Sequence, residues 1–413
     1  MRRCLVRPLR EGKDTLVSLS LKRSMRSEFD IAIVGGGLVG LALALALEPT
    51  GLKLAVIEPR AAQPVPEGDS WDSRIYAVSP GAVSFLESLG AWQRLPPERI
   101  TRVETMEIHG DADAARLEFS AYDAGLPELA SIVEARSLQQ ALWRGLEETA
   151  VRVLCPATCA SLELGADTAV LKLGDGSEVA ARLVVGADGA DSWVRAQAGI
   201  AVTPGDYGQL GVVANFTCAG RHRNTAFQWF RRDGVLALLP LPGDRVSMVW
   251  SIREGEAQRL MGLQPAALAE EVREASCNVL GALDLITPPA AFPLKLQRVA
   301  QFVRPRVALA GDAAHNVHPL AGQGVNLGFR DARALAATLK GREARYDCGE
   351  HALLRRYERA RREDVAAMQI TTHALQKLFA LEPVWIARAR NTGLRLVDRQ
   401  PQLKNFLVRQ AVA

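Results

Sequence analysis

Phe29-Asp30-Ile31-Ala32-Ile33-Val34-Gly35-Gly36-Gly37-Leu38-Val39-Gly40 is the stretch that decides the fold of this 413-residue chain. Its first half is a short apolar run with β-branched residues, the pattern of a buried strand. Gly35, Gly37 and Gly40 then complete a Gly-x-Gly-x-x-Gly spacing, and Leu41 to Leu47 continues in Leu and Ala, strong helix formers. Past Pro49-Thr50-Gly51, Leu52 to Ile57 reads as a second strand that stops at Glu58. Strand, glycine turn, helix and strand form the context in which this spacing marks a dinucleotide site. Gly35 permits the tight turn, Gly37 lets backbone approach a pyrophosphate, and Gly40 lets helix pack on strand. The helix N-terminus offers phosphates unpaired N–H groups and a partial positive charge. Glu58, 18 positions after Gly40, stands where a carboxylate accepts hydrogen bonds from ribose hydroxyls, and its charge repels a 2′-phosphate. The fingerprint alone does not separate FAD from NAD.

Two more strands run into turns of the same kind. Arg182-Leu183-Val184-Val185-Gly186-Ala187-Asp188-Gly189-Ala190 is an apolar run ending at Asp188 and Gly189. Arg306-Val307-Ala308-Leu309-Ala310-Gly311-Asp312-Ala313-Ala314-His315 repeats the pattern with Gly311 and Asp312. It continues through His318-Pro319-Leu320-Ala321-Gly322-Gln323-Gly324-Val325-Asn326-Leu327-Gly328 into a helical pattern from Phe329 to Lys340.

With these three motifs in this order, the chain resembles the single-component flavin monooxygenases. Their FAD domain carries a glycine fingerprint, a central Asp-Gly motif and a distal Gly-Asp motif. The wording around the third motif further resembles the flavin hydroxylases of ubiquinone biosynthesis. So do Asp72-Ser73-Arg74-Ile75-Tyr76-Ala77-Val78-Ser79, Gly234 to Leu241 and Asn391-Thr392-Gly393-Leu394-Arg395-Leu396. The resemblance extends from Glu28 to the end of the chain.

The resemblance implies an α/β protein holding FAD non-covalently, with a Rossmann-like FAD domain, an inserted antiparallel-sheet substrate domain and C-terminal helices. It implies that Asp312, beside Gly311, hydrogen-bonds the FAD ribitol and that Arg74 lies near the flavin and its ribityl chain. Arg136 and, after it, Gln140 are implied cofactor contacts, while Asp188 and Gly189 serve the FAD domain and a groove for the reductant. The loop from Pro319 to Asn326, with Gly322, Gln323, Gly324 and Val325, is implied to run beside the isoalloxazine ring. Elementary physics agrees with that last placement. Gly322 and Gly324 allow close backbone approach, and the positive end of the following helix stabilises an anionic reduced flavin.

The implied reaction is hydroxylation of the aromatic ring of a polyprenylated phenol with dioxygen, through a flavin hydroperoxide. The cofactor carries the hard step, and the protein supplies orientation and exclusion of water. No second Gly-x-Gly-x-x-Gly unit occurs, so electrons are expected from transiently docked NAD(P)H or from a partner protein. His315 and His318 suit packing or backbone bonding as well as acid–base chemistry, and His109 reads as a surface residue between strands. A soluble aromatic substrate stays open at this point, as does a flavin-bearing scaffold of a biosynthetic complex that does not turn over.

Between the motifs the pattern changes. Gln209 to Cys218, Thr225 to Phe230, Gly234 to Leu241 and Arg245 to Ile252 read as successive strands, and Leu263 to Leu280 as a helix. Trp229, Phe230 and Trp250 are candidates either for plain core or for an aromatic pocket wall. The predicted FAD-binding domain comprises 28–100, 131–200 and 295–345, and the substrate domain 101–130 and 201–294. A helical region, 346–413, closes the chain. Within it Leu375, Leu378 and Phe379, then Leu403, Phe406 and Leu407, form apolar stripes. Arg388, Arg390, Arg395, Arg399, Lys404 and Arg409 face only Asp398 in opposition. This basic stretch suits a solvated face, or contact with an anionic membrane or partner subunits, homo-oligomers included.

Composition sets outer limits. Fifty Lys and Arg against 46 Asp and Glu leave a charge of +4, too small to argue for nucleic acid. The six cysteines contain no Cys-x-x-Cys pair and offer neither a disulfide framework nor a zinc site, so no metal is expected. No apolar run reaches the roughly 18 residues of a spanning helix. Residues 1–27 are basic and lack a signal-peptide core, which suits a disordered tail or a start at Met25. The chain is therefore expected in the cytoplasm, peripheral to the inner membrane if the C-terminal region meets lipid. A presequence in the tail would instead place it on the mitochondrial matrix side.

Overall fold

The computed structural model describes residues 26–110, 116–231, 233–316, 323–343 and 346–380, with 400, 402, 404, 405 and 408 near the C-terminal end. The basic tail up to residue 25 and the arginines of 388–399 lie outside the described residues, as do the side chains of both apolar stripes.

Five parallel strands form the frame. Arg26–Val34 lies between Leu54–Ile57 and Glu178–Gly186, with Arg152–Leu154 and Val307–Leu309 beyond them. The strands are near-continuous apolar runs because both faces are covered. Ile31, Ala32, Ile33, Val56, Val184, Val185 and Ala308 are all fully buried. The first strand begins at Arg26, earlier than the predicted Phe29, and pairs Arg26 with Glu178 and Ser27 with Val179. Part of the predicted tail, residues 26 and 27, is thus strand.

The helix Leu38–Leu47 is apolar on every side because it is enclosed on every side, with Gly40 to Leu47 all buried. Gly328 of the helix Gln323–Lys340 lets that helix approach it closely, since a β-carbon at Gly328 would come within 2.5 Å of Val39.

The second layer is a nine-stranded sheet built on Val202–Cys218, Thr225–Phe230, Gly234–Leu241 and Arg245–Arg253. Thr105–His109 and Arg116–Ser120 extend one edge, while Ala290–Val299 and His315–Asn316 extend the other. Ala290–Val299 crosses the predicted domain boundary at 294/295 without leaving this sheet. The predicted helix over 263–280 is shorter, Pro265–Ala275, and a separate helix, Glu254–Met261, precedes it. A small sheet of Ile75–Val78, Ala130–Glu134 and Thr101–Val103 sits between the two layers.

The long helix His351–Ala380 closes the frame. Its Tyr357 is fully buried and donates its hydroxyl to the Leu309 carbonyl at 2.8 Å. Tyr357→Phe should cost about 1–2 kcal/mol in urea unfolding, the range for a buried carbonyl losing its donor. A loss below about 0.3 kcal/mol would show that this bond contributes nothing net.

Candidate functional site

The three motifs meet because their strands are neighbours in register. Val34 pairs with Gly186, and Gly186 pairs with Leu309, so the three turns leave the sheet at one level. Backbone bonds tie the turns together: Ala187 N–H donates to Val34 O at 2.8 Å, and Ala310 N–H to Gly186 O at 2.9 Å. This is the carboxyl-end crevice of a parallel sheet, where such folds place ligands.

The glycines divide by what surrounds them. A β-carbon on Gly35, whose φ is +113°, would lie 2.3 Å from the Ala187 carbonyl oxygen. One on Gly40 would lie 2.0 Å from the Gly35 oxygen. Both are demanded by the protein's own packing. Gly37 meets nothing within 4 Å, lines the cleft, and stands at the N-cap of Leu38–Leu47. Its missing side chain leaves room for something other than protein.

Glu58 lines the same cleft and accepts Gly36 N–H at 2.5 Å and Arg60 N–H at 3.2 Å. The Gly36 carbonyl in turn accepts from Gln139 Nε2 at 3.2 Å. Sequence reasoning had selected the adjacent Gln140, which is not among the cleft-lining residues. Arg136 is likewise not among the cleft-lining residues. Its backbone N–H and guanidinium hold the buried Asp72 carboxylate, at 3.0 and 3.7 Å. Asp72 also accepts the Arg74 N–H and receives the Asn215 amide on its carbonyl, joining the two layers. Arg74 lines the cleft, its guanidinium 5.3 Å from the Tyr76 ring centre and 5.4 Å from that of Phe292.

Asp188 and Gly189 border the cleft, though the Asp188 carboxylate is occupied locally by Ser192 Oγ and Val194 N–H. Gly311 and Asp312 border it from the third strand. The Asp312 side chain faces the cleft, and desolvation by surrounding protein raises its carboxyl, with His315 and Arg74 opposing and Asp331 reinforcing that rise. Gly324, Val325 and Asn326 complete this wall. Asn326 is buried and clasps Ser79 N–H and Ala77 O at 2.9 Å each. Pro319 and Gly322 lie outside the described residues, as does the side chain of Gln323.

Behind Asp312 stands a cluster that sequence reasoning missed. Asp331 is fully buried and accepts Gly311 N–H at 2.9 Å, Arg361 Nε at 2.7 Å and the His315 ring at 2.5 Å. Burial alone would raise its carboxyl, but His315 and Arg361 outweigh burial and hold it below its ordinary range. His315 thus bonds a carboxylate inside the protein.

The cleft encloses about 1280 Å³ and continues from the glycine turn to the inner face of the antiparallel sheet. That exceeds the roughly 300–1,000 Å³ of ordinary small-molecule sites, so it has room for a dinucleotide and a second ligand. Alternation decides which strand residues reach it. Along Arg245–Arg253, Val246, Met248, Trp250 and Ile252 enter a core packed by Leu260, Leu268 and Val272, while Val249 and Ser251 face the cleft. The aromatic-pocket alternative is accordingly corrected. Trp229 and Trp250 belong to that core, and Phe230 packs with Ile108 and Val235 rather than lining the cleft. His109 is corrected too: it sits in a strand, half-buried, stacked on Trp229 at 5.3 Å.

A family model described as an FAD binding domain matches residues 28–372. The 3-demethoxyubiquinol 3-hydroxylase of Escherichia coli is 36% identical over 390 residues, covering 93% of this chain and 98% of that protein. Ubiquinone hydroxylase UbiL of Rhodospirillum rubrum is 34% identical over 410 residues, covering 99% and 95%. The crystal structure of p-nitrophenol 4-monooxygenase PnpA from Pseudomonas putida matches with a TM-score of 0.76 at 17% identity, over 94% of this chain and 99% of that one. That last likeness is one of fold.

Proposed function

The chain belongs to the FAD-binding-domain family of flavin-dependent monooxygenases, and on that premise we propose that it hydroxylates the aromatic ring of a polyprenylated phenol in ubiquinone biosynthesis. The observation that carries this reading is the continuity of the cleft, whose dinucleotide end opens directly onto an apolar sheet face.

The residues present fit FAD. Gly37 leaves space for a pyrophosphate at a helix N-terminus, and Glu58, Arg74 and Asp312 would hold the polar parts of the cofactor. Bound FAD supplies the activation of dioxygen, with reducing equivalents from NAD(P)H or a partner protein. The chain's own contribution is placement and dryness. Met106, Phe119, Ala226, Leu239 and Val249 give the ring and its tail an apolar wall and keep water from the reacting face. Arg74 adds a fixed positive charge across from Asp312, suited to negative charge developing on bound groups.

Deleting the gene and extracting the quinone pool tests the assignment. A quinone precursor lacking one ring hydroxyl should accumulate, identified by mass; an unchanged pool would defeat the pathway reading. In the same strain Asp312→Ala should lose FAD and fail to restore synthesis. Restoration by a colourless protein would instead make the chain a scaffold.

A further inference from the structure

On the cleft-facing side of Thr105–His109, Arg116–Ser120, Thr225–Phe230, Gly234–Leu241 and Arg245–Arg253, the lining residues are apolar except for two. These are Gln228 and Ser251. Gln228 is 4% exposed and borders the cleft, and its side-chain amide has no hydrogen-bond partner among the described residues. Register places Ala237 and Ile108 across from it, and Ala226 and Phe230 are its same-face neighbours along the strand. None of the four side chains offers a donor or acceptor.

An amide at the cleft wall with no protein partner must find its donor and acceptor partners in whatever occupies the cleft, water or ligand. Leucine or methionine would fill the same place with no such need. A binding site, in contrast, uses a few placed polar groups within apolar walls to orient its ligand. Glutamine carries both an NH2 donor and a carbonyl acceptor, so it can serve a ring hydroxyl that donates, accepts, or does both.

We infer that Gln228 is the specificity-determining residue of the substrate wall, hydrogen-bonding an oxygen substituent of the aromatic ring while the apolar wall takes the rest. This inference rests on the phenol-hydroxylase reading and deepens it. Gln228 fixes which way the ring lies, and a phenol is preferred over its deoxy counterpart because only the phenol satisfies the amide.

The test uses purified FAD-loaded protein titrated with 2-prenylphenol and with prenylbenzene, following the change in flavin absorbance. Wild type should bind the phenol about ten-fold more tightly, the upper end for one neutral hydrogen bond. Gln228→Met, with unchanged FAD content, should bind the two ligands equally. A variant that keeps the ten-fold preference overturns the role of Gln228 while leaving the hydroxylase reading intact. Wild type that perturbs its flavin with neither ligand overturns the phenol reading, and the inference with it.

Discussion

Gly40→Ala should give no soluble flavin-bearing protein, whereas Gly37→Ala should fold and bind FAD roughly 5- to 150-fold more weakly. The two positions belong to one motif, but a β-carbon meets different things at each. At Gly40 it would lie 2.0 Å from the Gly35 carbonyl oxygen, so backbone must move at the centre of the frame. Overpacking of that kind costs about 3 kcal/mol or more, a large share of the roughly 5–15 kcal/mol that holds a domain folded. At Gly37 the backbone is extended, φ −78° and ψ −178°, a conformation that alanine adopts freely. Apoprotein stability should therefore stay within about 1 kcal/mol by urea unfolding. The methyl group intrudes only on the ligand, and about 1–3 kcal/mol of crowding converts to the stated loss of affinity. Fluorescence titration of apoprotein with FAD reads it. Unaltered affinity would place the pyrophosphate elsewhere.

Arg361→Met should destabilise the protein by about 3–5 kcal/mol at pH 7, the cost of taking one partner from a buried, hydrogen-bonded ion pair. Arg361 is 5% exposed and reaches Asp331 at 2.7 Å and Asp364 at 2.5 Å. The effect should travel to the cofactor, because Asp331 also holds the Gly311 N–H beside Asp312. Faster loss of FAD on dilution would register it. The pH dependence has a definite sign. Asp331 lies below the ordinary carboxylate range in the folded protein, so its stabilising contribution is complete above the unfolded value near about 3.9. It is lost as pH falls through the lower folded value. The gap between wild type and variant should therefore narrow in acid below about pH 4. A gap that is constant from pH 7 downward would mean that the arginine acts by packing alone.

The frame was legible because its signals are local. Strand, glycine turn, helix and strand lie within the 32 residues from Arg26 to Ile57, and the two later turns repeat the pattern that the first one teaches. What stayed hidden depends on distant pairings. Asp331 meets Arg361 across 30 positions, and Asp72 meets Arg136 across 64. Nothing in the composition near either member announces its partner. Gln139 and Gln140 are equivalent on paper, and only helix rotation decides that Gln139 reaches the glycine turn. The tryptophans illustrate a different limit. Thr225–Phe230 is buried at every position, so its alternation is plain but polarity does not say which face meets the cleft. Helix ends were displaced for reasons readable afterwards. Pro265 takes the first-turn position that suits a residue without N–H, and Cys277 and Asn278 leave the helix with positive φ of 54° and 56°.

Because neighbouring residues of Arg245–Arg253 point to opposite sides, one tract of chain answers to two selective pressures. Even-numbered positions from Val246 to Ile252 are held by fit to Leu260, Leu268 and Val272; Val249 and Ser251 are free of that demand. Descendants of such a gene could adopt new aromatic compounds by drifting at odd numbers alone, keeping the hidden side unaltered. Directed evolution confined to those odd positions would sample chemistry without eroding foldability.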